Sequence, residues 1–287
     1  MIQNPPIVCL GQRLYRIERP FGRMPAGLSM HEVSQVAVDS AGRVFVFRRA
    51  DPPVLVFAPD GTLLRSWGEG RFADPHGIAI TPDDRVILVD RDAHFVSVCT
   101  TEGEEILRLG TPHRPRHGAP FNHPSDAAVD AEGRIWVADG YGNARLHVFD
   151  REGRHLESFG TPGHGPGAFS TPHGIWIDRQ GRVLVADREN HRVQVLDADG
   201  RFLTEWRDLY KPMDIWEDAE GGILVTDQIS RLSRFSPDGT LIGRCRAAII
   251  YAHGVWGDAT GALYLAELPP IDRIAKLVPM PASDLAL

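Results

Sequence analysis

Residues 171–177 read Thr-Pro-His-Gly-Ile-Trp-Ile, and the same shape occurs at 74–80 as DPHGIAI and at 251–257 as YAHGVWG. Used as a ruler, this stretch finds three partners without histidine: SQVAVD at 34–39, SDAAVD at 125–130 and MDIWED at 213–218. The six units start at Ser34, His76, Ser125, His173, Met213 and His253, a spacing of roughly 40 to 50 residues, the period of propeller blades. Each unit continues in the same way. A turn such as SAGR, AEGR or RQGR leads into an apolar run (VFVF, VILV, IWVA, VLVA, ILVT, LYLA). A polar loop follows, then a second alternating run such as LHVF or VQVL, an Asp-Gly or Glu-Gly turn, and a last strand such as TLLRSWG or HLESFG. Strand-length runs separated by Gly and Asp turns, without helical period, make four short antiparallel strands per unit. Six such units predict an all-β, six-bladed β-propeller that takes in residues 1–287 as one domain.

The sixth unit ends at IDRIAKLVP, one strand short, while GQRLYRIERPFG near the N-terminus resembles the fourth strands GTLLRSWGEG and GRHLESFGTP. Residues 8–22 are therefore expected to supply the missing strand and close the ring, which removes the exposed sheet edges of an open array.

Composition narrows the functional classes. With 43% apolar and 24% charged residues over 287 positions the chain can bury a full core, and its formal charge of −7 gives no general attraction to nucleic acid or anionic membranes. The first twenty residues contain no apolar run of signal-peptide type, and no stretch is long enough to span a bilayer, so a soluble cytoplasmic protein is expected. Cys9, Cys99 and Cys245 are odd in number and far apart, which argues against a disulfide framework and a thiolate metal site. Among the 31 basic residues only Lys211 and Lys276 are lysines, so the cationic groups are almost all guanidinium forks suited to carboxylates.

Histidine occupies the same repeat position in blades two, four and six, and alternate blades of a six-fold ring are related by about 120°. His76, His173 and His253 are thereby expected to converge on the central axis from three directions. Three neutral imidazoles around one point, open along the axis, are the ligand set of a catalytic divalent metal; zinc suits them, and iron, cobalt or copper would also bind. The alternative is that His-Gly is a favoured repeat residue solvated in a water-filled channel, and the strict alternation favours the ligand set.

The loops after the second strands should share the face of the histidines. Asp90, Asp139, Asp187 and Asp227 recur in them and read as strand-end hydrogen-bonding residues. The positions that follow differ between blades and include Arg49, Arg91, Tyr141 and Arg188. A phenol beside a divalent metal and guanidinium groups can lose its proton more easily, which makes Tyr141 a candidate general base.

These repeats resemble NHL repeats. The set PHG, DGYGNAR, PHG, ADRENHR and AHG is similar, in order and spacing, to the lyase domain of peptidylglycine α-amidating enzymes, peptidyl-α-hydroxyglycine α-amidating lyase. The resemblance covers nearly the whole chain and is strongest from about residue 123 to 200. It implies that His76, His173 and His253 hold a catalytic zinc, that Tyr141 is the essential tyrosine, and that Arg188 and Arg49 are the active-site arginines. The departures carry implications of their own. Gly142 stands where the family has a cysteine, so that disulfide is absent, and Gly254 replaces the acidic residue after the third histidine, so no calcium is expected. Tyr251-Ala252 replaces Met-Pro and alters the substrate pocket, which makes Tyr251, with Arg91, a candidate substrate-binding residue.

The implied activity is metal-dependent cleavage of the C–N bond of an N-acyl α-hydroxyglycine or similar small hydroxy acid, with Tyr141 as base and arginine on the carboxylate. The partner is then a carboxylate-bearing small molecule rather than nucleic acid or membrane. Two alternatives of other classes are a non-catalytic propeller that binds protein or RNA, and a calcium-dependent lactonase or esterase using axial carboxylates such as Asp126 and Asp214.

Overall fold

The computed structural model describes residues 5–248 and 250–281. Six antiparallel sheets follow one another along the chain, each a meander whose first strand is innermost. The inner strands are Val33–Val38, Pro75–Ile80, Asp126–Val129, Pro172–Ile177, Pro212–Glu217 and Ala252–Gly257, and they stand around a common axis as the six blades of a propeller. The meander forms because every blade alternates apolar runs with tight aspartate turns. Asp39, Asp130, Asp178, Asp218 and Asp258, five residues after the start of their units, each accept backbone N–H groups two and four residues further on and so fix the first turn.

Between neighbouring blades the apolar faces interlock. Ile87 and Val89 of blade two, for instance, pack with Ala127 and Val137 of blade three, and a comparable cluster fills each of the other seams. The runs are apolar on both faces because each sheet is covered on both sides.

Blade six is built from both ends of the chain. Arg13–Phe21 pairs antiparallel with Arg273–Met280, in the register Leu14↔Met280 and Ile17↔Leu277, and supplies the fourth strand. The N-terminal segment is a hairpin rather than one closing strand: Ile7–Leu10 turns back at Gly11 (φ 67°) and adds a fifth, outermost strand. The one helical element among the described residues is the 3-10 turn Arg188–Asn190, and no helix is long and apolar enough to cross a membrane.

Candidate metal centre

At the head of the inner strands the backbone departs from regular pairing. The register shifts between Pro75 and Gly77, between Pro172 and Ile175, between Pro212 and Asp214, between Ala252 and Gly254, and between Val33 and Gln35. Such bulges re-aim side chains, and here they let two consecutive residues of a strand share the axis.

The first of the two positions carries the histidines. His76, His173 and His253 are buried, their ring centroids lie 4.8–5.0 Å apart, and one nitrogen from each falls within 4.8 Å of the others. Each ring reaches across a blade seam. His76 Nδ1 donates to the Ser125 carbonyl at 2.7 Å and His173 Nδ1 to the Met213 carbonyl at 2.8 Å, so the histidine of one blade is tied to the equivalent residue of the next. His253 faces Ser34 in the same sense, though its Nδ1 makes no hydrogen bond of good geometry. The serines carry the chain onward in the same sense, Ser34 Oγ donating to the His76 carbonyl (2.8 Å) and Ser125 Oγ to the Pro172 carbonyl (2.9 Å) of the following blade. Donation through Nδ1 leaves the Nε2 lone pair directed at the axis, the form a metal ligand needs. Burial, then the charges of neighbouring histidine and arginine side chains, holds the pKa of all three rings far below the ordinary histidine value, that of His253 at about 3. The rings are neutral at physiological pH, and three neutral Nε2 donors around an open axial position fit a divalent transition metal.

Above the triangle lies Tyr141, carried by the loop after Ile135–Asp139 and 36% exposed to the face of the ring. Its hydroxyl is 3.1 Å from both His76 Nε2 and His173 Nε2, and accepts from Arg188 Nη1 at 3.0 Å. The guanidinium groups of Arg188 and Arg91 sit 4.9 and 5.2 Å from its ring centre. Arg49 reaches the same mouth, 3.4 Å from Ser34 Oγ. The structure therefore brings together His76, His173, His253, Tyr141, Arg49, Arg91 and Arg188. Tyr251 is half-buried two residues before His253 and forms no hydrogen bond with the other described residues of the site.

Strand-end acids hold the loops that carry these groups. Asp139 accepts from Asn122 N–H (2.9 Å), Asn143 Nδ2 (2.7 Å) and His147 Nε2 (3.1 Å), and Asp187 accepts from Ser170 N–H, Asn190, Arg192 and Gln194. In blade one the position is Arg48, which donates to three carbonyls instead.

Sequence reasoning missed Asp74. Its carboxylate bridges Arg49 Nε (2.7 Å) and Arg91 Nε (2.9 Å), and Glu189 similarly joins Arg188 Nε (3.0 Å) to Lys211 Nζ (2.9 Å). Aligning the units would have found it: two residues before the axial position they read Glu32, Asp74, His123, Thr171, Lys211 and Tyr251, a different residue in every blade.

The second axial position carries Gln35, Asp126 and Asp214 in blades one, three and five, opposite Gly77, Gly174 and Gly254 in the histidine blades. Asp214 accepts from Gln35 Nε2 (3.0 Å), Val255 N–H (2.7 Å) and Ile215 N–H (2.9 Å), and Asp126 from Ile175 N–H (3.0 Å). Burial raises the pKa of both acids, that of Asp214 to about 7, and the nearby Asp214 carboxylate raises Asp126 further.

Six blades built from one recurring four-stranded unit make this a repeat propeller of NHL type. The family models agree: "NHL repeat" matches residues 72–99 and "6-bladed beta-propeller" matches residues 126–219. The chain is 33% identical to NHL repeat-containing protein 3 of Mus musculus over 92% of its own length and 86% of that protein, and it belongs to this NHL repeat family. It is also 28% identical to peptidyl-alpha-hydroxyglycine alpha-amidating lyase 1 of Drosophila melanogaster, over 86% of this chain and 57% of that one. Among solved structures, the gluconolactonase XC5397 of Xanthomonas campestris shares the fold with a TM-score of 0.73 at 14% identity, covering 97% of this chain and 96% of that one.

Proposed function

We propose that this protein is a metal-dependent lyase that cleaves the C–N bond of an N-acyl α-hydroxyglycine or a closely similar small hydroxy acid. The observation that carries the reading is the Tyr141 hydroxyl, placed 3.1 Å from two histidine Nε2 atoms and 3.0 Å from Arg188 Nη1. His76, His173 and His253 would hold a divalent transition metal, zinc by the chemistry of the donors, and the ion would supply Lewis acidity that makes a substrate hydroxyl easier to deprotonate.

The chain's own residues do the rest. Tyr141 takes the hydroxyl proton, its oxygen held by the hydrogen bond from Arg188 Nη1 and its ring covered by the same guanidinium. The electron pair of the O–H bond becomes the new C=O, the C–N bond breaks, and the amide nitrogen leaves and takes up a proton. The products are an amide and glyoxylate. Arg49 and Arg91, held by their Nε atoms to Asp74, keep their terminal nitrogens for the substrate carboxylate, which a guanidinium fork grips at two points. Likeness to the Drosophila amidating lyase supports the same reaction type. The lactonase alternative finds less support, since calcium takes about six to eight oxygen ligands, and among the described residues the second axial position offers only the side chains of Gln35, Asp126 and Asp214 beside three imidazoles. Cys9, Cys99 and Cys245 are free thiols, consistent with the reducing cytoplasm in which we place the protein.

The test is metal analysis of the purified, untagged chain beside His76→Ala and Tyr141→Phe, followed by glyoxylate release from N-acyl α-hydroxyglycines. About one transition metal per chain is expected in the unaltered protein and in Tyr141→Phe, with metal lost in His76→Ala and turnover lost in both variants. Full turnover in Tyr141→Phe would remove the general-base assignment, and no metal after reconstitution with zinc, iron or cobalt would overturn the lyase reading.

A further inference from the structure

The axis has a second mouth, on the face opposite the histidines. There the inner strands line a cavity of about 390 Å³, within the size range of small-molecule sites. Its shape comes from one repeat position. Three residues after the axial residue, blades one to three carry Ala37, Ala79 and Ala128, while blades four to six carry Trp176, Trp216 and Trp256. Of these six, Ala79, Ala128, Trp176 and Trp256 line the cavity, so indoles wall one side and methyl groups leave the other open, while Ala37 and Trp216 pack away from it. Trp176 is the hinge of the wall, with ring centroids 5.4 Å from Trp256 and 6.5 Å from Trp216, and its buried Nε1 has no hydrogen-bond partner.

The cavity is apolar at its sides and acidic at its ends. Asp126 and Asp214 form its floor, 7% and 6% exposed, between the cavity and the histidine layer. Asp39, Asp84 and Asp258 stand at its rim, and no lysine or arginine is among the described residues that line it. The rim acids hold turns: Asp39 is paired to Arg43, whereas Asp84 and Asp258 bond only neutral groups. A pocket with two buried acids below and indole faces beside it has the complementarity of an organic cation, whose charge would favour the ionised form of acids that burial otherwise keeps protonated. The ammonium meets Asp126, Asp214 and the indoles, and the apolar body meets Ile78, Ala127 and Ile175.

We propose that this cavity is a second ligand site, which takes a small alkyl- or arylammonium ion with its charged end against Asp126 and Asp214. The site is independent of the proposed lyase chemistry, since none of its lining residues belongs to the histidine, tyrosine and arginine set. A flat or chain-like body fits the open side at Ala79 and Ala128, and the indoles of Trp176 and Trp256 provide the reporter.

The experiment is calorimetric titration of the full chain, with tryptophan fluorescence in parallel, using benzylammonium as probe and benzyl alcohol and benzoate as neutral and anionic controls. Benzylammonium is expected to bind saturably and at least tenfold more tightly than either control. Asp126→Asn and Asp214→Asn, each checked by thermal melting, should weaken it at least tenfold. Ala79→Leu, which fills the cavity and leaves the acids alone, should weaken it by a similar factor even if an acid variant fails to fold. Equal binding of benzyl alcohol, undiminished binding in Ala79→Leu, or a response to calcium ion with none to benzylammonium would each overturn the proposal.

Discussion

Glycine follows histidine at 77, 174 and 254 because the next blade's axial side chain needs that space. A Cβ on Gly77 would stand 2.7 Å from the Ser125 carbonyl oxygen and 2.8 Å from Asp126 Oδ1, and one on Gly254 would overlap the Gln35 side-chain amide. The displaced Ser125 carbonyl is the group that orients His76, so packing and ligand geometry are joined at one atom. Gly77→Ala should cost about 1–3 kcal/mol, an overpacking effect readable as a lower melting temperature, and should also weaken metal binding in a zinc competition titration. Asp74 acts through its two arginines. Asp74→Ala should leave both forks unfixed and raise KM for an anionic substrate about tenfold or more while changing kcat little, as steady-state kinetics would show. The histidine triangle was legible because identical residues recur at a fixed repeat position. Asp74 was not, because its signal is a difference between blades at the position two before the axial residue rather than a recurrence, and one of its partners, Arg49, comes from the neighbouring blade.

The closing hairpin is the element on which the ring depends. Tyr15, Ile17 and Phe21 of Arg13–Phe21 are all buried, whereas Ile7–Leu10 buries chiefly Leu10. Three such side chains stabilise the ring by roughly 1.5–3 kcal/mol each. Removing residues 1–22 should therefore abolish cooperative unfolding or drive self-association through the bared edge at Arg273–Met280, whereas removing residues 1–10 should lower the melting temperature without ending cooperativity. Thermal melting with light scattering separates the two outcomes. The blade count, the inner strands and the N-terminal closure follow from periodic alternation and Gly/Asp turns, which are local signals. The outward turn at Gly11 escaped the sequence reading because the apolar run IVCL leads straight into GQRLY with only one glycine between, and one glycine in a strand pattern does not say whether the chain bends or bulges. The axial bulges escaped it for a related reason: their effect is to put consecutive residues on one side, which simple alternation forbids.

For the molecule as a whole, the buried axis couples folding to pH in two opposing ways. The three histidines keep their pKa values depressed in the fold, so their contribution is complete above the unfolded value near 6.5 and is lost as pH falls below it. Asp126 and Asp214 have raised values, Asp214 about 7, so they hold protons that the unfolded chain releases above about 3.9, and they favour the fold as pH falls through that same window. Each net proton is worth about 1.4 kcal/mol per pH unit. Stability of the metal-free chain should fall between pH 6.5 and 4.5, and fall more steeply in Asp214→Asn, where one opposing group is gone; denaturant midpoints across that range test it. A ligated metal would add its own binding free energy to the fold and join blades two, four and six directly, so chelation should lower the melting temperature of the loaded protein. The seam-crossing bonds of the histidines have one more consequence, which concerns how such a ring can change by gain or loss of repeats. Because histidine alternates with a residue that receives its N–H, the working unit is a pair of blades and the site has a parity. Insertion or deletion of a single blade would leave two like neighbours at one seam and break the three-fold arrangement, whereas three copies of a two-blade peptide contain everything the triangle requires.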